Sequence, residues 1–337
     1  MLPSQTMPII CSYRRAHGSV GEKAFINNYL LPMLKGLAPD APLTVDGYGN
    51  MLLDMGRNDL MFVAHVDTVH RQDEPERQSV KINEETLTLA NYTSKNEIPG
   101  CLGADDGSGI AVMLYLISEG VKAQYLFTRC EERGGYGAEY FRENSKDVLG
   151  KVKMAIEVDR RGTTEIIYSQ GVGDCASQTF TKALCKEIGM EHKPSDRGSY
   201  TDVATFADVV PECVNIAAGY GNAHSASEYV DLTYLDELAQ ALVVIDELTW
   251  NNMPVERKPG DFGYSPYWEA VGYYSSPNRY KSHGRKLEFN EIYEFVVNDP
   301  EGAALLLQHF GITQDDLIDL YEDMYVDDDM EKNELWH

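Results

Sequence analysis

The sequence predicts an α/β fold with a central, mostly parallel mixed sheet flanked by helices, and three observations support that expectation. Short apolar runs of strand length alternate with runs whose apolar residues repeat at helical spacing. Several of the strand-like runs end directly in His, Asp or Glu, as at the carboxyl edge of an open α/β sheet. The character then changes after Trp250, which sets a main domain at 1–250 apart from an appendage at 251–337.

The elements follow in chain order. Residues 20–36 (VGEKAFINNYLLPMLKG) carry helical apolar spacing and end at a glycine. LTVDGYGNMLLDMGRNDLMFVAHVD reads as successive strands joined by the turn signals DGYGN and GRND. DGSGIAVMLYLISEG (106–120) reads as a buried helix, QYLFTR (124–129) as a strand, and 135–143 as another helix. VKMAIEVD (152–159), TEIIYS (164–169) and CVNIAAG (213–219) read as strands, and 176–190 as an amphipathic helix. DLTYLDELAQALVVIDELTW (231–250) reads as one long helix.

Composition narrows the function. Lys and Arg total 29 against 54 Asp and Glu, and a net charge of −25 argues against a phosphate-backbone partner, which needs cations to neutralise it. The apolar runs fall far short of the ~20 residues that cross a bilayer, so no membrane partner is expected. The opening MLPSQTMPIICSYRRAHG has no apolar core behind a basic lead, and so no secretory leader is read there. Six scattered cysteines without a CxxC pair read as reduced thiols, so a cytoplasmic location is expected.

The chemistry-bearing residues cluster by position. MFVA runs into His65 and Asp67, YLFT leads to Glu131 and Glu132, and MAIEV runs into Asp159. Asp105 and Asp106 open the helix beginning DGSGIA, and His224 follows VNIAAG by a few residues. Each has an ordinary explanation alone: a capping pair, solvated charge, a helix N-cap, a salt-bridged strand end, a loop histidine. Together they share one edge of the sheet, where ligands of open α/β folds bind, and should converge on one site.

At this point the residues resemble the co-catalytic di-zinc aminopeptidase and aminoacylase superfamily, with its zinc-exopeptidase fold. The matching segments are AHVDTV (64–69), LGADDGSGIAVML (102–114), EERGGYGAEYF (131–141), the Asp closing AIEVD, GSYTDVATF (198–206) and AHSASEYVDL (223–232). The resemblance covers roughly residues 15–250. It implies that His65, Asp105 and Asp159 hold one zinc, and that Asp105, Glu132 and His224 hold a second, with Asp105 bridging. It also implies a cis peptide between Asp105 and Asp106. Two Zn²⁺, three carboxylates and a bridging hydroxide sum to zero charge, which suits a partly dry crevice; Co²⁺ or Mn²⁺ would accept the same donors. Asp67 would receive the second N–H of His65, and Glu131 would move the proton from water to the leaving amine. Tyr200 or Tyr220 would add a hydrogen bond to the substrate carbonyl.

Spacing selects a branch. Between Asp159 and His224 lie 64 residues, too few for the inserted lid of the aminoacylase and carboxypeptidase relatives. Between His65 and Asp105 lie 39, enough for a hairpin (VKINEETLTLANY) and no barrel domain. The lidless, aminopeptidase-like arrangement remains, although HVDTV is worded more like the lidded branch. A zinc metallopeptidase acting on a free peptide N-terminus is therefore expected, with Glu228 binding the substrate ammonium. An amidase, deacylase or carboxypeptidase using the same metals is the alternative, and a non-catalytic binding protein a more distant one, because neither Glu131 nor any ligand is missing. The aromatic-rich stretch from Phe262 to Tyr280 is expected to run as extended chain packed across the catalytic domain, the short helices after it to form a small helical cap, and the tail DDDMEK to be a disordered acidic end.

Overall fold

The computed structural model describes residues 1–92 and 100–259, which fall in one unit spanning Met1–Ser276. The appendage readings beyond residue 259 lie outside the described residues. In chain order the first elements are α1 (Pro3–Ile10), α2 (Val20–Phe25), a π turn at Ile26–Leu30, α3 (Leu31–Leu37), β1 (Leu43–Val45), β2 (Met51–Asp54), β3 (Leu60–His65), β4 (Val80–Asn83) and β5 (Thr88–Asn91). The middle of the chain holds α4 (Ala104–Ser118), β6 (Gln124–Thr128), α5 (Tyr136–Asn144), α6 (Lys146–Leu149), β7 (Met154–Arg160), β8 (Glu165–Ile167), β9 (Ser169–Gln170) and β10 (Gly173–Asp174). After these come α7 (Gln178–Ile188), β11 (Lys193–Ser195), α8 (Asp202–Thr205), β12 (Glu212–Ala217), β13 (Tyr220–Gly221), β14 (Tyr229–Asp231), α9 (Leu232–Val243) and α10 (Glu247–Asn251).

The main sheet has the order β1-β2-β6-β3-β7-β12-β8-β11. Its centre is parallel, β6 with β3, β3 with β7 and β7 with β12, while β1, β2 and the β12–β8 pairing run antiparallel. The predicted α/β class and mostly parallel mixed sheet are what the fold shows. In β3 every residue is buried, because helices cover both faces of a central strand. Phe62 and Ala64 pack into the layer formed by α1, α4, α7 and α9; Met61 and Val63 point into the layer of α5, α6 and α8. The predicted hairpin forms as β4–β5 and joins β14 and β13 in a separate four-stranded sheet.

Two helix expectations need correction. The helix over 20–36 widens into the π turn just before Pro32, which has no N–H to donate to the carbonyl of residue 28. The helix expected over 231–250 is broken after Val243. Asp246 caps a new helix by accepting the Thr249 N–H at 2.7 Å, so its side chain competes with the continuing backbone ladder. Residues 256 and 257 still pack on the main body, with the Glu256 and Arg257 N–H groups donating to Glu212 Oε1 at 2.8 and 3.1 Å. Among the described residues no helix is long and apolar enough to cross a membrane.

Candidate metal centre

The carboxyl ends of β6, β3 and β7 lie side by side, which brings the motifs together. His65 closes β3 and is fully buried. Its Nδ1 lies 3.0 Å from the backbone oxygen of Asp67, which sets a proton on Nδ1 and turns Nε2 toward the acids. The carboxylate of Asp67 is not the partner it was expected to be. It stands 3.8 Å from Nδ1 and accepts the Glu131 N–H at 3.1 Å, tying the 131–132 turn to the end of β3.

Asp105 sits between the two histidines. Its Oδ1 is 3.0 Å from His65 Nε2, and its Oδ2 is 3.3 Å from His224 Nε2. Asp159 Oδ2 lies 3.8 Å from His65 Nε2, and Glu132 Oε1 lies 3.2 Å from His224 Nε2. Glu131 Oε2 stands 4.0 Å from His65 Nε2. The structure therefore brings all five expected ligands and Glu131 to one place. Asp106, read from sequence as turn chemistry only, also approaches, its carboxylate within 4.8 Å of His65 and Asp159 ligand atoms. Its other duty is local, accepting the Gly109 N–H at 2.8 Å.

Local structure explains the placement. The Asp105–Asp106 peptide is cis, as the resemblance implies. Gly137 lets α5 close onto the end of β6, since a Cβ there would lie 2.0 Å from the Arg129 carbonyl oxygen and 2.6 Å from Asn50 Oδ1. Asp159 is held by reciprocal bonds with Asn215, at 2.8 Å to Oδ1 and 2.9 Å from Nδ2. Tyr220 donates to Asp159 Oδ1 at 3.0 Å. Tyr200 is bonded to Thr205 Oγ1. Glu228, expected to bind a substrate ammonium, instead has both oxygens engaged by the backbone N–H groups of Leu102, Gly103, Ala104 and Asp105 at 2.7–3.2 Å. Beside His224 a cavity of about 180 Å³ opens, lined by His70, Glu74 and Cys101 among others. His70 is buried there and held well below its usual pKa, at about 4, by burial and the nearby Arg15 charge.

The electrostatics of the centre follow from its burial. Asp67, Asp106, Glu157, Asp159 and Asp202 are buried around two histidines, with Asp105, Glu131 and Glu132 partly buried beside them. Burial, reinforced by neighbouring carboxylates, pushes Glu131 and Asp159 well above the usual range and Glu132 up to about 7. For Asp105 burial acts the same way, but the His224 and His65 hydrogen bonds win and hold it low. Among the described residues Asp106 Oδ2, Asp67 Oδ2, Glu157 Oε1 and Asp202 Oδ1 have no hydrogen-bond partner. Buried like charges of this density are costly unless paired or bound to cations. Ligand atoms ~2.1 Å from a tetrahedral zinc lie about 3.4 Å from each other, close to the spacings seen here, and His with carboxylate oxygen is a donor set zinc accepts. The residues fit bound metal.

Comparison with known proteins decides the family. The family model described as peptidase family M28 matches residues 50–239, more than half of the chain. The chain belongs to peptidase family M28. The match spans every expected metal ligand, from His65 to His224, and leaves residues 1–49 and 240–337 outside. Membership of M28 makes the chain a metal-dependent peptidase. Its fold is similar to that of a tripeptidase from Staphylococcus aureus (12% identity, TM-score 0.59, covering 75% of this chain and 100% of that one). It is similar too to aminopeptidase PepT from Bacillus cereus (14%, 0.57, 72% and 96%) and to an aminopeptidase from the archaeon Desulfurococcus kamchatkensis (16%, 0.50, 72% and 94%). No curated protein matches the chain in sequence.

Sequence reasoning missed Arg15, Glu22 and Asn215. Nothing in SYRRAHG, VGEKAF or CVNIAA marks them, because their importance lies in contacts across 50 or more residues of chain, such as Arg15 to Val66, Glu22 to Arg129 and Asn215 to Asp159.

Proposed function

We propose that the chain is a zinc aminopeptidase in which His65, Asp105 and Asp159 hold one ion, Asp105, Glu132 and His224 the other, and Glu131 moves the proton. The observation that carries this reading is the position of Asp105, whose two oxygens each face a different histidine at 3.0 and 3.3 Å, with Asp159 also beside His65 and Glu132 beside His224. When bound, the ions would polarise the scissile carbonyl and acidify the attacking water.

The chain's own residues do the rest. Glu131 is next to a ligand and partly buried, and burial pushes its pKa well above the usual carboxylate range, the direction that strengthens it as a base. Its Oε2 would take the proton from water and hand it to the departing amine, leaving the peptide cut with proton count unchanged. The Tyr220 hydroxyl orients Asp159 rather than the substrate. Support for an exopeptidase comes from residues 160–223, which contribute β8–β13 and α7–α8 around the main body, leaving no segment for a separate lid. With both Glu228 oxygens committed, a substrate ammonium would be met by the acids of the centre itself. Zinc is favoured by the nitrogen and oxygen donors, with cobalt or manganese as substitutes. Six free thiols, five of them buried, support a reducing, cytoplasmic setting, and we retain 251–337 as an appended segment.

The test is hydrolysis of short peptides with free or acetylated N-termini after chelation and zinc restoration. Zinc-restored cleavage confined to free-amine peptides is the expected result; cleavage of acylated substrates alone would replace this reading with a deacylase.

A further inference from the structure

We propose that Arg15 and Glu228 form an oppositely charged clamp on one stretch of backbone, residues 102–105, and are positioning residues for the bridging ligand Asp105. This inference rests on the metal-centre reading above.

The Glu228 side of the clamp is fully built. Its side chain is 1% exposed, and its Oε2 accepts the N–H groups of Leu102 and Gly103 at 2.7 and 3.0 Å. Its Oε1 accepts those of Ala104 and Asp105 at 2.8 and 3.2 Å. A carboxylate offers about four acceptor sites, so four backbone donors saturate it. Gly103, in the left-handed region at φ +76°, turns the successive N–H groups to one side, a concavity suited to an anion.

Arg15 supplies the other side. It is fully buried, and no hydrogen bond joins it to a carboxylate among the described residues. Its three nitrogens each donate to a carbonyl on a separate segment: one Nη to Gly103 at 2.9 Å, the other Nη to Ile10 at 2.9 Å, and Nε to Val66 at 2.8 Å. Val66 follows His65 directly, and Gly103 lies two residues before Asp105. The backbone joins in, with the Thr68 N–H donating to the Arg15 carbonyl at 3.1 Å.

Two buried charges that, among the described residues, each lack a counter-ion in direct contact are expensive to keep. Here they act on one peptide segment, Arg15 through a carbonyl and Glu228 through the amides, with the segment's dipoles aligned between them. The consequence is orientation. Asp105 must present its two oxygens to His65 and His224 at once, and Arg15 ties the strand carrying His65 to the loop carrying Asp105. A lysine could not replace it, since one ammonium cannot reach three divergent carbonyls that a planar guanidinium spans. Arg15 also lies outside the 50–239 stretch that matches the family, so the N-terminal segment contributes to the centre from beyond it.

The experiment measures zinc dissociation constants of the metal-free full-length protein, as wild type, Arg15→Lys and Glu228→Gln, together with the melting temperature of each metal-free and zinc-loaded form. Amide hydrogen exchange of residues 102–105 in the metal-free wild type is followed alongside. The expected result is zinc binding weakened about 10–100-fold in each variant, the range for groups that orient ligands. The metal-free melting temperature falls less than the zinc-loaded one, and amides 102–105 exchange slowly in the wild type without metal. Folded variants that bind zinc within twofold of a zinc-binding wild type would overturn the clamp alone. So would fast exchange of those amides, which decides the matter even if a variant fails to fold. A wild type that binds no zinc overturns the metal-centre reading and the clamp with it.

Discussion

Tyr220 donates its hydroxyl to Asp159 twice over, to Oδ1 at 3.0 Å and to the backbone carbonyl at 3.1 Å. The tyrosine is buried, so the bond is not shared with solvent, and it fixes the carboxylate rotamer against the end of β7. Tyr220→Phe keeps the ring and removes only the hydroxyl. Metal affinity should fall about 10-fold or more, the lower end of what ligand-orienting groups contribute, and stability by roughly 1 kcal/mol. Zinc titration and urea melts of the two proteins check this; unchanged affinity would mean that Asp159 is oriented without Tyr220 or is not a ligand.

Glu131→Gln tests the proton carrier separately from the ligands. The variant should bind zinc as the wild type does and lose about 10²–10⁴-fold in kcat, the usual contribution of a general base. Metal content by atomic absorption beside single-substrate kinetics reads both quantities. Near-normal turnover with full metal would remove Glu131 from the mechanism.

Removing the metal should destabilise the fold, because so many carboxyls then face one another without a cation. Chelation at neutral pH should lower the melting temperature, and zinc at a thousand times its dissociation constant should restore about 4 kcal/mol. Calorimetry with and without chelator measures it; identical melts would argue that the acids are accommodated without metal.

Glu22 provides a pH-dependent contribution away from the metal ligands. Burial alone would raise its pKa, but the neighbouring His17 at 3.5 Å, the Arg129 hydrogen bonds and charge and the Gly18 N–H bring it down to about 2 from an ordinary 4.5. A depressed acid stabilises the fold fully above the unfolded-state value and loses that effect as pH falls through the folded one. The window here is pH 4.5 down to 2. Glu22→Gln should therefore cost on the order of 3 kcal/mol at pH 6, with the gap to wild type shrinking steadily below pH 4.5. Denaturant midpoints across that range decide it, and a gap independent of pH would assign the loss to packing.

The sequence by itself determined the layer architecture and the identity of the residues that gather. Strand and helix periods are local properties, and a polar residue at the end of an apolar strand can only lie at one edge of a parallel sheet; hence His65, Glu131, Glu132 and Asp159 were legible as one group. What each side chain touches was decided by tertiary structure. Asp67 gives the imidazole its carbonyl and reserves its carboxylate for Glu131 N–H; Glu228 is spent on four amides; the 231–250 helix breaks where Asp246 finds a better bond. Arg15 illustrates the reason most clearly. A guanidinium can be buried only where three carbonyls from residues 10, 66 and 103 converge, and such convergence belongs to the folded chain as a whole, with no trace in the residues beside it.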